Sequence, residues 1–598
     1  MLETKMAAPP HVDDYELQPA SHADEPLLPR YEQHQPLSPH KRHQLNRQHS
    51  RLRRLVVCLS LSLIIAVPTL ALAACYFGRL DKIAEWQKLP DDVKSWIQNY
   101  LGQQDTVDKG AFPTNVGYAG PTPTGSEPYL LATAPALPLY SGTAPLIPPV
   151  KSQNFNIIQH WGNLSPYYSV ASHGLAETNS LIPEGCELKE MHWLQRHGAR
   201  YPTSGGDGPA GVSSRLRSAE GWTAKGDLQF LNDWSYKLGA ELLTPFGRSQ
   251  LFNLGVAARV KYGFLLDKMD GRLPVFRTES QDRMLRSAQN FATGFFGFPA
   301  EEQYNLEVMI EAPGFNCTLA PYSTCLNENN GRIYKETFQK LAKWDAVFLK
   351  DAAQRLQGMI DGYNVTVRDA KDFMEMCAYE TVSLGYSSFC NLFTEKEWKG
   401  FEYRNDIYWW YASSFGSPVS AAQGIGWVQE VVSRLTHTRL TEFNATTNST
   451  FHNDVHFPLS DPLYVDFTHD TTFAQLLPAM NLTTFSESGP PPLDKIPKHR
   501  SFIASKICPF ATNLQLQVLS CPAMSSPSQI RMILNDAPVP LTGINGCEED
   551  EQGLCDLDAF TGAMKTLIGQ TDYSKDCGSD YEYTQEDIVD GRPPRSGF

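Results

Sequence analysis

Two arginines and a histidine packed into Arg196-His197-Gly198-Ala199-Arg200-Tyr201-Pro202-Thr203 make a compact anion site with a nucleophile inside it. A guanidinium is permanently charged and forks onto two phosphate oxygens at once. Two such forks neutralise most of the charge of a phosphate monoester. Gly198 removes a Cβ that would hold an anion off the backbone, and Pro202 stiffens the exit of the loop. His197 is left to attack phosphorus as a neutral imidazole and to carry the phosphoryl group covalently, which splits one hard displacement into two easier ones.

His469-Asp470 is the second pair with chemistry in it. Leu463, Val465 and Phe467 alternate as in a strand, whereas Phe473, Leu476 and Leu477 fall at helical spacing, so the pair sits at a strand-to-helix turn. Turns at the carboxyl ends of strands are where open α/β sheets bind ligands, and the amides of a helix start favour anions. Standing alone, such a pair reads as a helix cap. A third cationic stretch, Leu273 to Arg283, opens with a short apolar run that ends at Arg277.

The octapeptide resembles the RHGxRxP signature of the histidine acid phosphatases, the family that includes the fungal phytases, and His469-Asp470 resembles that family's HD motif. The resemblance runs from about Gln153 to Cys577. Its landmarks include Ile182-Pro183-Glu184-Gly185-Cys186, Leu243-Thr244-Pro245-Phe246-Gly247, Gln423-Gly424-Ile425-Gly426-Trp427 and Leu534-Asn535-Asp536-Ala537-Pro538. It implies His197 as nucleophile, Asp470 as proton donor to the leaving alcohol, and Arg196, Arg200, Arg277 and His469 as phosphate ligands. It calls for no metal and no cofactor. Glu279 stands where the family commonly has a small residue.

The fold implied is α/β, a phosphoglycerate-mutase-like three-layer sandwich with a mostly α-helical insertion within about residues 203–450. Strands ending at His197, Arg277 and His469 would share one sheet. Lys189 and Glu190 interrupt the apolar run expected of a buried parallel strand ahead of His197. Two helix starts between the catalytic elements are legible. Thr244-Pro245 is an N-cap with proline at the first helical position, and Thr394 with Glu397 makes a capping box.

The implied activity is acid phosphomonoester hydrolysis through a phosphohistidine, on a small-molecule substrate. Family phytases carry lysines soon after the octapeptide, but Ser204 to Pro209 is neutral to acidic here, with Arg215, Arg217 and Lys225 the nearest cations. Broad phosphomonoesters are therefore expected, with phytate as a further substrate. The alternative is a membrane-anchored binding protein with an inactive phosphatase fold. It would be favoured by loss of His197 or Asp470, and both are present.

The rest of the chain must hold these residues and set their compartment. Among 598 residues, 51 basic against 66 acidic side chains give a net charge of −15, which argues against a nucleic-acid partner. Residues 1–54 read as a disordered cytosolic tail. Residues 55–77 are apolar, uncharged and long enough for a bilayer, and Lys41, Arg42, Arg47, Arg51, Arg53 and Arg54 precede them. That pattern predicts a single-pass type II signal-anchor in the secretory pathway, with a lumenal or extracellular catalytic domain at the cell surface or in a vacuole. The alternative is secretion after cleavage near Ala71-Leu72-Ala73. Residues 78–150 read as a stalk, 151–580 as the catalytic domain and 581–598 as a disordered tail.

Sequons at Asn316, Asn364, Asn444, Asn448 and Asn481 all follow the apolar run, as expected for N-glycosylation in the lumen, whereas Pro166 weighs against Asn163. Ten cysteines lie beyond the apolar run, an even number that implies disulfides in an oxidising compartment, without fixing their pairing. Similarity to fungal phytases implies Cys186 with Cys521, Cys325 with Cys577, Cys377 with Cys390 and Cys547 with Cys555. Cys317 and Cys508 are left to each other.

Overall fold

A computed structural model of the chain describes residues 146, 155–175, 178–205 and 207–594. The cytosolic tail and membrane span expected over residues 1–77, and nearly all of the expected stalk, lie outside the described residues. Among the described residues no helix is long and apolar enough to cross a membrane.

In chain order the strands are β1 (Glu187–Arg196), β2 (Thr223–Ala224), β3 (Val275–Glu279), β4 (Asn305–Met309), β5 (Ile360–Asp361), β6 (Leu463–Thr468), β7 (Asn513–Ser520), β8 (Ser528–Leu534), β9 (Ala537–Pro538) and β10 (Leu554–Asp556). The helices of eight residues or more are α1 (Gly208–Ser218), α2 (Pro245–Tyr262), α3 (Asp282–Phe296), α4 (Arg332–Phe348), α5 (Lys350–Gln357), α6 (Val367–Leu384), α7 (Glu395–Ser413), α8 (Ser420–Leu435), α9 (Asp470–Ala479) and α10 (Leu557–Gly569).

One sheet runs β10-β8-β7-β1-β6-β3-β4, with β9 paired to β8. β1, β6, β3 and β4 are mutually parallel, while β7 lies antiparallel to β1. Helices cover both faces, as a parallel sheet requires. Leu188, Met191 and Trp193 of β1 pack with α2 and α3 on one side; Leu194 joins α8, α9 and α10 on the other. Each large apolar side chain fully buried in these layers contributes about 1.5–3 kcal/mol.

β1 forms in spite of its interrupting charges. Lys189 turns outward onto Glu187 at 2.6 Å, and the buried Glu190 is accommodated by His192, whose Nε2 lies 2.6 Å from its carboxylate. Pairing with β7 shifts register between Leu188 and Glu190, and from Glu190 to Arg196 every residue is buried.

The helical portion has its own core, built from α1, α5, α6 and the start of α7, with Leu228, Phe373 and Trp398 inside it. Both capping boxes at its helix starts are closed: Thr366 with Asp369, and the expected Thr394 with Glu397. The 2-residue ribbon of β2 and β5 belongs to this portion.

Four of the five expected disulfides are present: Cys186–Cys521, Cys325–Cys577, Cys377–Cys390 and Cys547–Cys555. The expected Cys317–Cys508 bridge is not; both thiols are buried and unbonded. Cys508 lies beside the end of β1, where its carbonyl accepts from Arg196, and Cys317 lies in the segment after β4, and the two thiols remain apart. The end of the chain corrects a second expectation. Residues 581–594 dock onto α4, α7 and α8: Tyr583 O accepts from Arg332 at 2.6 Å, the buried Gln585 donates to Thr337 Oγ1 at 3.1 Å and to Tyr411 O, and Gly591 O accepts from Ala421 N.

Candidate active site

The carboxyl ends of β1, β6, β3 and β4 lie along one edge of the sheet, and each delivers a functional side chain. β1 delivers Arg196 and then His197; β6 delivers His469 and Asp470 at the start of α9; β3 ends in Glu279, and Glu311 follows β4.

The catalytic loop is held by α2. Thr244 caps that helix by accepting from Gly247 N at 3.0 Å, and it also donates from its own N–H to Ala199 O at 2.9 Å. Ala199 N donates to Gln250 Oε1 at 2.9 Å, and Gly198 N to Ser287 Oγ. A Cβ on Gly198 would come within 2.3 Å of Gly247 O, and one on Gly247 within 2.0 Å of Ala199 O. The glycine therefore serves the close approach of helix and loop, where the sequence suggested approach of an anion.

His197 is fully buried, and its Nδ1 lies 2.8 Å from Gly198 O. A carbonyl only accepts, so Nδ1 carries the hydrogen and Nε2 keeps its lone pair. Burial lowers the His197 pKa well below its ordinary value, and Arg196, Arg283, His469 and Arg200 lower it further. Burial and these cations thus favour the neutral imidazole, with its lone pair on Nε2.

Of the expected phosphate ligands, Arg196, Arg200 and His469 are brought together around His197. Arg196 is also a scaffold: its Nη1 donates to Asn163 O at 2.6 Å and Cys508 O at 2.7 Å, its Nη2 pairs with Asp470 Oδ2, and its guanidinium stacks over Phe510. His469 lies edge-on to His197, with ring centroids 5.5 Å apart, and its Nε2 faces Glu279 and Glu311.

Arg277 is elsewhere. It sits inside β3, fully buried, with Nε and Nη2 each donating to Asp466 at 2.7 Å and Nη2 also to Glu430 at 2.9 Å. Arg434 and Trp427 share the same carboxylate. Arg277 is held by two carboxylates inside the strand, so the geometry gives it a structural role in place of the phosphate role expected of it.

The cation that enters the site is Arg283, six positions on, which acts on His197, His469 and Asp470. It lies in the first turn of α3, just past the end of β3. The strand-end rule that located His469-Asp470 finds it when applied to residues 279–283. Arg283 Nη1 donates to Glu241 at 2.9 Å. The Nε–H groups of Arg196, Arg200 and Arg283 are all buried and have no acceptor among the described residues. Three unanswered guanidinium donors around a neutral imidazole are what a bound phosphate would complete.

Asn163 is the other residue not anticipated in this role. Its Nδ2 donates to Asp470 Oδ2 at 3.0 Å, which commits the amide nitrogen of that sequon. Burial pushes the Asp470 pKa up, but Arg196, the Asn163 amide, Arg200 and His469 outweigh it and hold the carboxyl below its ordinary range.

The sequence profile of the histidine phosphatase superfamily (branch 2) matches residues 187–535. Phytase A of Aspergillus awamori is 30% identical over 444 residues, covering 71% of this chain and 91% of its own length. Phytase A of Penicillium oxalicum is 31% identical over 446 residues, covering 71% and 93%. The crystal structure of the phytase from D. castellii is similar with a TM-score of 0.59 at 25% identity, covering 72% of this chain and 91% of that one. With the octapeptide, the strand-end pair and the arginine pocket assembled on this sheet, the chain belongs to the histidine phosphatase superfamily, branch 2, as an enzyme of its acid phosphatase and phytase group.

Proposed function

We propose that the protein hydrolyses a broad range of phosphomonoesters through a phosphohistidine on His197. The observation that carries this reading is the set of three buried, unanswered guanidinium N–H groups beside an imidazole whose lone pair is exposed by its own hydrogen bond. Arg196, Arg200 and Arg283 hold the phosphate, with His469 contributing through Nδ1 because its Nε2 faces carboxylates. His197 Nε2 attacks phosphorus in line; the ester P–O bond breaks, and Asp470 gives its proton to the leaving oxygen. Water then attacks the phosphohistidine, Asp470 takes a proton from that water, and inorganic phosphate leaves.

Asp470 must be protonated for the first step, and its depressed pKa makes that a low-pH event in the free enzyme. Bound phosphate answers the arginines that depress it, and so raises it when the proton is needed. Asn163 and Arg196 aim the carboxyl.

Substrate breadth is supported by what the neighbouring cations are doing. Arg215 is engaged by Asp369 and Asp372, and Lys225 by Asp361, so two of the three cations nearest the octapeptide in sequence are already paired. A dedicated site for six phosphates needs unpaired ones. We place phytate among the substrates on the strength of the Phytase A relatives, below simple monoesters in rate. A panel of p-nitrophenyl phosphate, glycerol phosphate and phytate at several pH values tests this. Turnover of phytate alone would overturn breadth, and acid-quenched phosphoenzyme persisting in His197→Ala would overturn the nucleophile.

Secretory residence is supported by the four disulfides and by exposed sequons at Asn364 and Asn444. Asn316 and Asn448 are half-buried and cross-bonded, and the Asn481 amide nitrogen is engaged by Gly543 O, so these are poorer acceptors. The residue 55–77 anchor is tested by alkaline carbonate extraction, which leaves an anchored chain in the membrane pellet and frees a cleaved one.

A further inference from the structure

Glu279 ends β3 among the catalytic residues and is fully buried. No donor besides His469 Nε2 reaches its carboxylate among the described residues. Oε1 faces His469 Nε2, and Glu311 Oε2 stands 3.4 Å from that same nitrogen. One ligand atom from each of the three residues lies within 4.8 Å of the other two. All three belong to groups that offer lone pairs, and they converge on one point.

Burying one uncompensated carboxylate costs several kcal/mol, and two that converge repel each other as well. A proton on Nε2 offsets one of the two charges and leaves the other. A divalent cation offsets both with the imidazole neutral. Glu311 is already aimed for such a ligand. Its other oxygen, Oε1, accepts from Gln281 Nε2 at 2.6 Å and from the Tyr322 hydroxyl at 2.7 Å, the outer-shell arrangement that orients a metal-ligating carboxylate. Arg283, the nearby cation, is engaged by Glu241.

We propose that Glu279, Glu311 and His469 Nε2 bind one divalent transition-metal cation of borderline softness. One imidazole nitrogen with two carboxylate oxygens suits Zn²⁺, Mn²⁺ or Co²⁺. It does not suit Mg²⁺ or Ca²⁺, which prefer oxygen throughout. The site shares His469 with the proposed phosphate pocket through the other ring nitrogen, and its test reads metal uptake instead of turnover, so its failure and that of the phosphatase reading are distinguishable.

The test is metal uptake by the full-length protein after chelator treatment, read by calorimetry with ZnCl2 at neutral pH and by the visible absorption of a CoCl2 adduct. Wild type takes up one equivalent that MgCl2 in excess does not displace, and the Co²⁺ adduct shows the bands of a nitrogen- and oxygen-ligated ion. Glu279→Gln and Glu311→Gln, made separately, each weaken Zn²⁺ binding by about 100-fold or more, beyond the roughly 10–100-fold seen for outer-shell changes. Absence of saturable uptake by wild type overturns the site, whatever the variants do. Uptake unchanged in both variants, or equal affinity for Mg²⁺, overturns it as well.

Discussion

Arg277 and Arg283 leave the same strand and end in clusters of opposite balance. Around Arg277, two guanidinium groups (Arg277 and Arg434) face two carboxylates (Asp466 and Glu430), and hydrogen bonds from Trp427 and Thr318 complete the set. Around His197, Arg196, Arg200 and Arg283 each keep a buried N–H without an acceptor, while Asp470, Glu241, Glu279 and Glu311 lie around the same site. Both clusters are buried, so burial does not separate structure from function here. The arrangement of the donors does. Where one carboxylate takes contacts from both arginines the cluster is a fastener; where three guanidinium groups each keep a free N–H around one imidazole the missing partner is a ligand.

The largest effect expected inside this cluster falls on Asp470, the proposed proton donor. Asp470→Asn should slow glycerol phosphate hydrolysis by a factor within about 10²–10⁴, and p-nitrophenyl phosphate considerably less, because an alkoxide needs a proton to leave and p-nitrophenolate does not. The phosphorylation step, followed by rapid quench, is the measurement. Equal losses on both substrates would mean that Asp470 only positions Arg196 and His469.

The two arginines give a reciprocal test. Arg277→Ala leaves Asp466 and Glu430 short of a partner and should cost about 3–5 kcal/mol of stability in denaturant unfolding, the range for breaking a buried ion pair. Arg283→Ala should leave unfolding within about 1 kcal/mol of wild type while kcat/KM falls about 10²–10³-fold, the loss typical of one transition-state donor. A catalytic defect in Arg277→Ala with normal stability would collapse the distinction between the clusters.

Much of this site is legible in the sequence because its residues occur in short, dense groups. Arg196-His197 and His469-Asp470 follow strands with clear alternation, and the strand-end rule places them correctly. Arg277 closes the apolar run, but that run is the strand itself, and a residue inside a parallel strand points into a covered face. Arg283 is legible only once a helix start is placed just past the strand. Glu279 announced itself as an unexpected residue type; its convergence with Glu311 depends on β3 pairing with β4, which no local pattern records. No local pattern in the sequence records that Cys317 and Cys508 stay unbonded. Lys189 and Glu190 obscured β1 because one turns outward and the other is answered by His192 two residues on.

Buried carboxylates whose burial outweighs the groups around them are the counterpart of the free arginines, and they predict the smallest and most general effect. Glu307, Glu328 and Glu380 are each raised from 4.5 to about 7, chiefly by burial. Hydrogen bonds from Tyr334 and Gln423 to Glu328, and from Trp234 and Ser387 to Glu380, oppose burial without overcoming it. A group whose folded pKa lies above its unfolded value binds its proton more tightly in the folded state, so stability falls as pH rises between the two values. Here that window runs from about pH 4.5 to about pH 7. Each group contributes roughly 1–3 kcal/mol, given 1.36 kcal/mol per unit and some relaxation of the site. The depressed carboxylates Asp466 and Asp470 act with the opposite sign, but their losses begin only below the ordinary carboxylate range and leave this window untouched. Buried imidazoles act with the opposite sign in the same window, since His173 and His452 are lowered from 6.5 to about 4 and lose stability as pH falls, so the carboxylate contribution is read by difference. Glu328→Gln, which removes one titration while keeping the shape, should raise the melting temperature at pH 8 relative to pH 5 when compared with wild type, and an unchanged pH profile in that variant would show that Glu328 does not titrate in this window.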